Sequence, residues 1–517
     1  MVGTPPLGPE FKKLSGSTLN DALVIHRLTA KFEVPKDGAR DAIKRASIQK
    51  MLEYDKTYPE IAAKLFKGKG SVTRFLKAKA WLHTTLKDCK TRNRVQFPSG
   101  ESVNTSEGYV DLYYKLTSQD QWTVSSSCVK QAATLAYVNH ALKRVVKQRF
   151  NCRPFPGGRD PRPLWVEEAR TARKSIGFYV FERMFLSLVD IVGHSRITTV
   201  PKNNKEDRVI TCDPTWNLIV QRSIALDLLE CVYKVRGIDI HRLQDLHRGL
   251  IAHRKFATVD LSKASDSNWV NIFMMLFPKK IVDRVMTART GLAYDGENYH
   301  KLNQLAPMGC GFTFEIMTLT LLAYARTFDE GATVFGDDII INAKYATGLN
   351  KFLQGMGWKI NVEKTFIDGN FSESCGGFYN HTTNSHIVSH DLFYPENFGD
   401  IIAAANKLAN ILLANQVSRY VRKILLVGYV DLLKIIPNVV HSVSRVPDGS
   451  EASVVYNPVG HEAFIGTWTE DHPESGYQRG NLRGKRVVFK TDVEFDRISN
   501  DIGLVLYTCY LHHGVKA

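Results

Sequence analysis

Cysteines in this chain never come in pairs. Cys89, Cys128, Cys152, Cys212, Cys231, Cys310, Cys375 and Cys509 each stand alone, with no Cys-x-x-Cys spacing. That pattern indicates neither a zinc knuckle nor a disulfide framework, and it fits a reducing cytosol. Long apolar runs are missing too. The stretches 401–413 and 424–430 are broken by Asn406, Lys407, Asn410 and Asp431. Neither reaches the roughly 20 apolar residues a membrane span needs. Met1 to Lys13 carries prolines and charges rather than an apolar signal core, so neither a leader nor a membrane partner is expected. The lack of internal repeats and of long low-complexity linkers leaves the domain boundaries soft.

The 517 residues suffice for two to four structural units. A hydrophobic share of 44% and a charged share of 23% are ordinary for a globular chain. Acids are the scarcer charge: 52 Asp and Glu face 68 Lys and Arg, a net +16. An excess of that size points to a polyanionic partner, nucleic acid first, although solubility alone would also account for it.

The most informative stretch is Thr333 to Ile341, where one apolar run enters Gly336-Asp337-Asp338 and another leaves it. The pattern predicts a β-hairpin with a three-residue Gly-Asp-Asp tip. Two adjacent carboxylates on a rigid tip raise each other's pKa unless a cation sits between them. A hard divalent ion, Mg²⁺ where phosphates are handled, is the matching partner. The plain alternative is an exposed turn, since Gly and Asp are common turn residues.

Residues 1–90 read as mostly helical, with Leu23, Val24, Ile25, Leu28, Ile61, Leu65 and Phe66 at suitable spacing. The basic run Lys64 to Lys79 has Phe75 and Trp81 beside it. A helix is expected over 128–149, then a rigid Pro- and Gly-rich segment at 153–163. From Lys143 to Lys174, ten Lys and Arg stand against three Asp and Glu, with Phe150, Phe155 and Trp165 among them. Cations for phosphates and rings for bases compose a single-strand track, so Lys143, Arg144, Lys147, Arg149, Arg153 and Arg159 are candidate RNA contacts. A basic helix and an ordered loop are the alternative.

Thr199 to Ile210 reads as two β-prone arms around a cationic loop. Lys202, Lys205 and Arg208 would converge there on a triphosphate, the lysines as point charges and the arginine as a bidentate fork. An exposed basic hairpin is the alternative. A helix follows over 214–235. Phe256 to Leu261 is a short strand that reaches Asp260, a candidate metal ligand beside Asp337 and Asp338. Asp266 lies in a Ser/Asp turn leading into a helix and would accept a hydrogen bond from a ribose hydroxyl; an N-capping cluster is the alternative. Gly309-Cys310-Gly311 opens an apolar helix over about 314–328. Glycines admit close backbone approach to a ligand and a helix N-terminus favours phosphate, which makes Gly309 and Thr313 nucleotide-binding candidates. A short helix is expected over 348–357, Lys364 at the end of a strand or loop, and a tight turn at Cys375-Gly376. Beyond 390 the chain is helical again, with Leu408, Ile411, Leu412, Val417, Val421, Ile424, Leu425 and Val430 as core. The tail over 442–517 is mixed, with a basic strand-like run at 479–490.

In order, Val200-Pro201-Lys202-Asn203-Asn204-Lys205, Asp260-Leu261-Ser262-Lys263-Ala264-Ser265-Asp266-Ser267, Met308 to Glu315, Gly336-Asp337-Asp338-Ile339-Ile340, Glu363-Lys364-Thr365-Phe366 and Glu373-Ser374-Cys375-Gly376 form one set. The set resembles the replicase catalytic subunits of the leviviruses, positive-strand RNA bacteriophages. The likeness spans about residues 196–380 and is faint outside. Two positions depart from that family: Cys310 stands where Asn is usual, and Met317-Thr318 where a polar pair is common. Ribose recognition then falls, by position, to Asp266 with Ser265.

The resemblance implies an α+β right-hand polymerase with fingers, a palm of antiparallel sheet backed by helices, and a helical thumb. Residues 1–90 would be an N-terminal helical segment bridging fingers and thumb, and 91–250 the fingers, with a nucleotide-entry hairpin near 199–210. Residues 251–380 would be the palm, with a fingers insertion near 270–305, and 381–517 the thumb and C-terminal region. The implied activity is RNA-dependent RNA synthesis by two-metal nucleotidyl transfer, with Asp260, Asp337 and Asp338 holding two Mg²⁺, or Mn²⁺ in substitution. Lys364 would be the general acid toward pyrophosphate. Implied partners are RNA template and product, NTPs, host elongation factors Tu and Ts and a ribosomal protein, in the cytoplasm of an infected bacterium. A reverse transcriptase or a capsidless-virus RNA polymerase is the enzymatic alternative, although reverse transcriptases typically carry a large residue where Gly336 stands. A non-catalytic basic RNA-binding protein would explain the charge but not the ordered carboxylates.

Overall fold

A computed structural model of the chain describes residues 13–29, 31, 39–68, 70–96, 101–105, 122–155, 158–202, 206–392, 398–435, 467–470 and 480–483. The fold mixes helices and sheets, and its contacts divide the chain into two compact units. One holds residues 37–368 and 372–377, the other 1–36, 369–371 and 378–517.

The first unit is built on a three-stranded antiparallel sheet, ordered Phe256–Val259, Asp338–Asn342, Thr333–Phe335. Ile339 pairs with Val259 on one side and Val334 on the other. Ile339, Ile340 and Ile341 are all buried, so both faces of the middle strand are covered. Truncating any one to Ala would cost about 2–5 kcal/mol. The helix Thr313–Ala325 packs against this sheet and is buried at every residue but Phe314. A helix buried on all sides belongs in a core, and its polar members are paired there, Glu315 with Arg222 and Thr318 with Gly336 N–H. Helices Ser71–Leu86 and Thr215–Arg236 pack on it in turn. The expected helix over 214–235 is present; the one expected over 128–149 is two, Val129–Val138 and His140–Asn151. Asn139 makes the break, its side chain accepting from Leu142 N–H at 3.1 Å as an N-cap.

A second sheet runs Asp207–Cys212, Ser195–Pro201, Leu292–Tyr294, Tyr299–Lys301. Its first two strands are the basic hairpin expected near 199–210. Helix Ala39–Lys56 packs on that hairpin and ties down the start of its outgoing strand, beside the loop. Arg40 pairs with the fully buried Asp207 side chain at 3.0 Å, and Asp207 N–H donates to Ser47 Oγ at 3.0 Å.

In the other unit, helix Gly16–Thr29 buries Leu19, Leu23, Val24 and Leu28 but leaves Ile25 exposed. Asn380 Nδ2 donates to Gly16 O and Asn20 Oδ1, and Asp21 accepts from Ser418 N–H at 2.8 Å. Helices Phe398–Ala414 and Arg419–Ile435 pack together through Leu408, Ile411, Leu412, Val421 and Leu425. Ile424 and Val430, expected in this core, are exposed. Most of the 442–517 tail lies outside the described residues. Among the described residues, no helix is long and apolar enough to cross a membrane.

Candidate active site

The hairpin turn is tighter than its sequence suggests. Asp338 pairs with Phe335, so the loop is only Gly336-Asp337 and Asp338 already belongs to the outgoing strand. Gly336 has φ +64 and Asp337 does not share that sign, the type II′ pattern that two-residue hairpins favour. A Cβ at Gly336 would lie 3.0 Å from the Phe314 ring. The turn is pinned from below, where Gly336 N–H donates to the buried Thr318 hydroxyl at 3.0 Å.

Register brings the third carboxylate in. Continuing the Ile339–Val259 pair by one residue sets Asp338 opposite Asp260, at the same sheet end as the Asp337 turn. Like charges placed opposite each other destabilise a sheet. Burial is the first cause raising all three pKa values. Asp338 is pushed to about 7, with Asp337 and Asp260 adding to the effect of burial. Asp260 is pushed to about 6, with Lys364 opposing and Asp337 reinforcing. Two donors hold two of the three in place: Asn361 Nδ2 to Asp260 Oδ2 at 2.6 Å, and Cys375 N–H to Asp338 Oδ2 at 3.0 Å.

As placed, no three described His, Cys, Asp and Glu side chains form a ready chelate. The donor chemistry nevertheless suits a hard divalent ion: three desolvated carboxylates, mutually repulsive and raised in pKa, would be relieved by cationic charge between them. On that ground the residues fit the group.

Cations converge unevenly. Thr258 and Phe366 exchange backbone hydrogen bonds at 2.8 Å on the sheet's outer edge, which carries Lys364 alongside Asp260. Lys364 lies 3.9 Å from Glu373 and its charge pulls the pKa of Asp260 and Asp337 down. Arg208 is exposed on the basic hairpin, and its field reaches Asp337. Lys202, exposed on the opposite arm, pairs with Glu206 at 3.2 Å. Lys205 lies outside the described residues.

Asp266 sits on the short 3-10 turn Ser265–Ser267 rather than directly on a helix, and Ser265 Oγ donates to it at 3.4 Å. Burial pushes its carboxyl up to about 6, Lys263 opposing. The glycine loop has an internal explanation. At Gly309, with φ +106, a Cβ would meet Thr211 O at 2.3 Å, so the loop's close approach is to the basic hairpin's own backbone. Thr313 is buried, its hydroxyl donating to Pro307 O at 2.8 Å and Cys310 O at 3.0 Å. Arg222, paired with buried Glu315 at 2.7 Å, donates to Gly311 O at 2.8 Å and ties the loop to helix Thr215–Arg236.

The proposed single-strand track also changes character. Phe150 is buried against Phe155 and Trp165, at ring distances of 5.4 and 5.7 Å, so it serves the core rather than a base. Lys143 lies over the Tyr137 ring and Arg149 over Trp122, while Arg153 donates to Ser187 O. Arg144, Lys147 and Arg159 are the exposed members. Phe75, in the earlier basic run, is likewise buried. Asn361, Thr318 and the contact of Cys375 with Asp338 were not legible as site features, because each depends on a partner distant in sequence.

Over 213 residues the chain is 34% identical to the RNA-directed RNA polymerase subunit beta of Qbeta virus strain MX1, covering 38% of this chain and 35% of that one. The corresponding protein of Enterobacteria phage SP is 35% identical over 204 residues, covering 37% and 35%. The beta chain of Escherichia phage MS2 is 30% identical over 252 residues, covering 46% and 42%. The chain thus spans about a third of the length of the first two relatives. Among solved structures, a human picobirnavirus RNA-dependent RNA polymerase superposes with a TM-score of 0.36 at 10% identity, over 85% of this chain and 93% of that one, too loosely to carry an argument. The family described as RNA replicase, beta-chain, matches residues 33–385, more than half of the sequence, and the chain belongs to that family.

Proposed function

We propose that this chain is the catalytic subunit of an RNA-directed RNA polymerase that copies a positive-strand phage genome. The observation that carries the reading is the placement of Asp260 opposite Asp338, with Asp337 at the adjoining turn; the charge of Lys364 bears on Asp260 and Asp337, and that of Arg208 on Asp337. Asp260, Asp337 and Asp338 would hold two Mg²⁺, which when bound lower the cost of negative charge on the attacking and leaving oxygens. Arg208, with Lys202 and Lys205, would neutralise the incoming triphosphate, where positioning and electrostatics carry most of the catalysis. Lys364 would protonate the departing pyrophosphate. Asp266 and Ser265 would receive the ribose hydroxyl, Gly309 and Thr313 would shape the floor beneath the nucleotide, and Arg144, Lys147 and Arg159 would meet RNA phosphates.

In this reading, the sheet carrying the carboxylates and its helices are the palm of a right hand, within 251–380. The basic hairpin belongs to the fingers of 91–250, the helices beyond 381 to the thumb, and residues 1–90 to a bridging segment. Relatives are named as beta subunits, which supports assembly with further chains; host elongation factors Tu and Ts and a ribosomal protein, in the bacterial cytoplasm, are the expected ones.

The test is label incorporation by purified chain with RNA, NTPs and Mg²⁺, beside Asp337→Asn and a dNTP control. Incorporation of NTP by wild type alone, with or without added bacterial lysate, supports the reading. RNA binding unchanged by Asp337→Asn, with no synthesis even with lysate, replaces it with a non-catalytic RNA-binding protein.

A further inference from the structure

The Ser374-Cys375-Gly376 turn lies against the catalytic hairpin and is built in an unusual way. Cys375 and Gly376 both have positive φ, +52 and +69. Glycine adopts that backbone freely; a cysteine there is strained. The side chain has compensating contacts. Cys375 Sγ lies 3.5 Å from His247 Nδ1 and 3.7 Å from Ser374 Oγ, and Ser374 Oγ lies 2.9 Å from the same His247 nitrogen. His247 is fully buried on helix Leu243–Leu250, and Ser374 is fully buried beside it. The turn directs the Cys375 N–H at the site, 3.0 Å from Asp338 Oδ2.

We propose that His247, Ser374 and Cys375 are positioning residues that fix one oxygen of the Asp338 carboxylate, leaving its other oxygen for the divalent cation; this inference rests on the polymerase reading above. The geometry is that of an outer-shell support: a buried imidazole braces a turn, and the turn orients a ligand carboxylate. It gives a reason for a cysteine where turn chemistry prefers Asn or Gly. Burial pulls the His247 pKa down to about 4, so the imidazole is neutral at working pH and adds no charge near the carboxylates.

The experiment measures Mn²⁺ binding directly, by loss of the free-ion electron paramagnetic signal, alongside melting temperature and single-turnover incorporation. Variants are His247→Leu, Cys375→Ala, Cys375→Ser and Cys375→Gly. His247→Leu and Cys375→Ala should each weaken Mn²⁺ binding about tenfold or more, the range for lost outer-shell partners, with nucleotide KM within about twofold. Cys375→Ser, which keeps a polar contact to His247, should stay near wild type. If His247→Leu fails to fold, Cys375→Ala, which removes only the thiol, carries the test and should still weaken binding; Cys375→Gly, which removes the whole side chain and relieves the backbone, should weaken it too. Variants that bind Mn²⁺ as wild type does, while wild type itself binds metal and incorporates nucleotide, overturn the positioning role alone. A wild type that neither binds Mn²⁺ nor incorporates nucleotide, even with bacterial lysate added, overturns the polymerase reading and this inference with it.

Discussion

Asn361 donates from Nδ2 to Oδ2 of Asp260 at 2.6 Å, while its own backbone N–H meets Asp260 O at 2.9 Å. One residue therefore holds both the main chain and the carboxylate of a candidate ligand. The Ile360–Leu261 pair makes this possible, because it brings Asn361 beside Asp260 across a 101-residue separation. Asn361→Ala should leave the backbone contact in place and lower turnover about tenfold, as loss of an outer-shell donor does. Single-turnover incorporation at saturating NTP reads it, and an unchanged rate would remove Asn361 from the site.

Gly309 separates a structural from a ligand-binding role. With φ +106 and Thr211 O only 2.3 Å from a virtual Cβ, Gly309→Ala is expected to destabilise the fold by about 3 kcal/mol or more. Denaturant unfolding measures this. Full stability with a raised nucleotide KM would instead place the glycine against substrate.

Arg222 and Glu315 form a buried pair at 2.7 Å, their side chains 16% and 4% exposed. Removing one partner strands the other. Glu315→Ala should cost about 3–5 kcal/mol, whereas replacing both, Arg222→Met with Glu315→Leu, should recover much of that loss. A double variant no more stable than the single would point to the Arg222 bond with Gly311 O as the larger contribution.

Arg208 and Lys364 predict different kinetic signatures. Arg208 is exposed and reaches the site only through its field, so Arg208→Ala should raise nucleotide KM several-fold with a smaller change in turnover, an effect that weakens in high salt. Lys364 opposes the charge of both Asp260 and Asp337, so Lys364→Leu should lower turnover about 10²-fold or more with little effect on KM. Steady-state kinetics of both variants at two ionic strengths decide the matter.

Much of this site could be read from the sequence, and the parts that could not have identifiable causes. Asp260 and the Asp337–Asp338 pair were legible because short apolar runs fix strands, and strand ends fix where a carboxylate sits. The length of the turn was not, since Asp338 is polar yet pairs within the strand. Composition gives no face: Phe150, a candidate base-stacking ring, and Phe75, beside the earlier basic run, both lie in the core. The glycine loop offered the same ambiguity, as a glycine near a ligand and one near a neighbouring strand look alike in one dimension. Ile424 and Val430 continued a helical apolar pattern but fall outside the buried stripe. Cys375 and Asn361 act on residues 37 and 101 positions away, a distance periodicity cannot span.

The early helix Gly16–Thr29 has its hydrogen-bonded partners near the other end of the described chain: Asn20 meets Asn380 and Asp21 meets Ser418, separations of 360 and 397 residues. During translation at 5–20 residues per second, roughly 20–80 s pass between synthesis of the two halves of this contact set. Through that interval Leu19, Leu23, Val24 and Leu28 have no finished core to enter, while residues 37–368 can already collapse. The unit that joins helix Gly16–Thr29 to Asn380 and Ser418 therefore closes last. An RNA that stalls ribosomes before Ser418 is made would release chains with an assembled carboxylate sheet and an open, sticky Gly16–Thr29 helix.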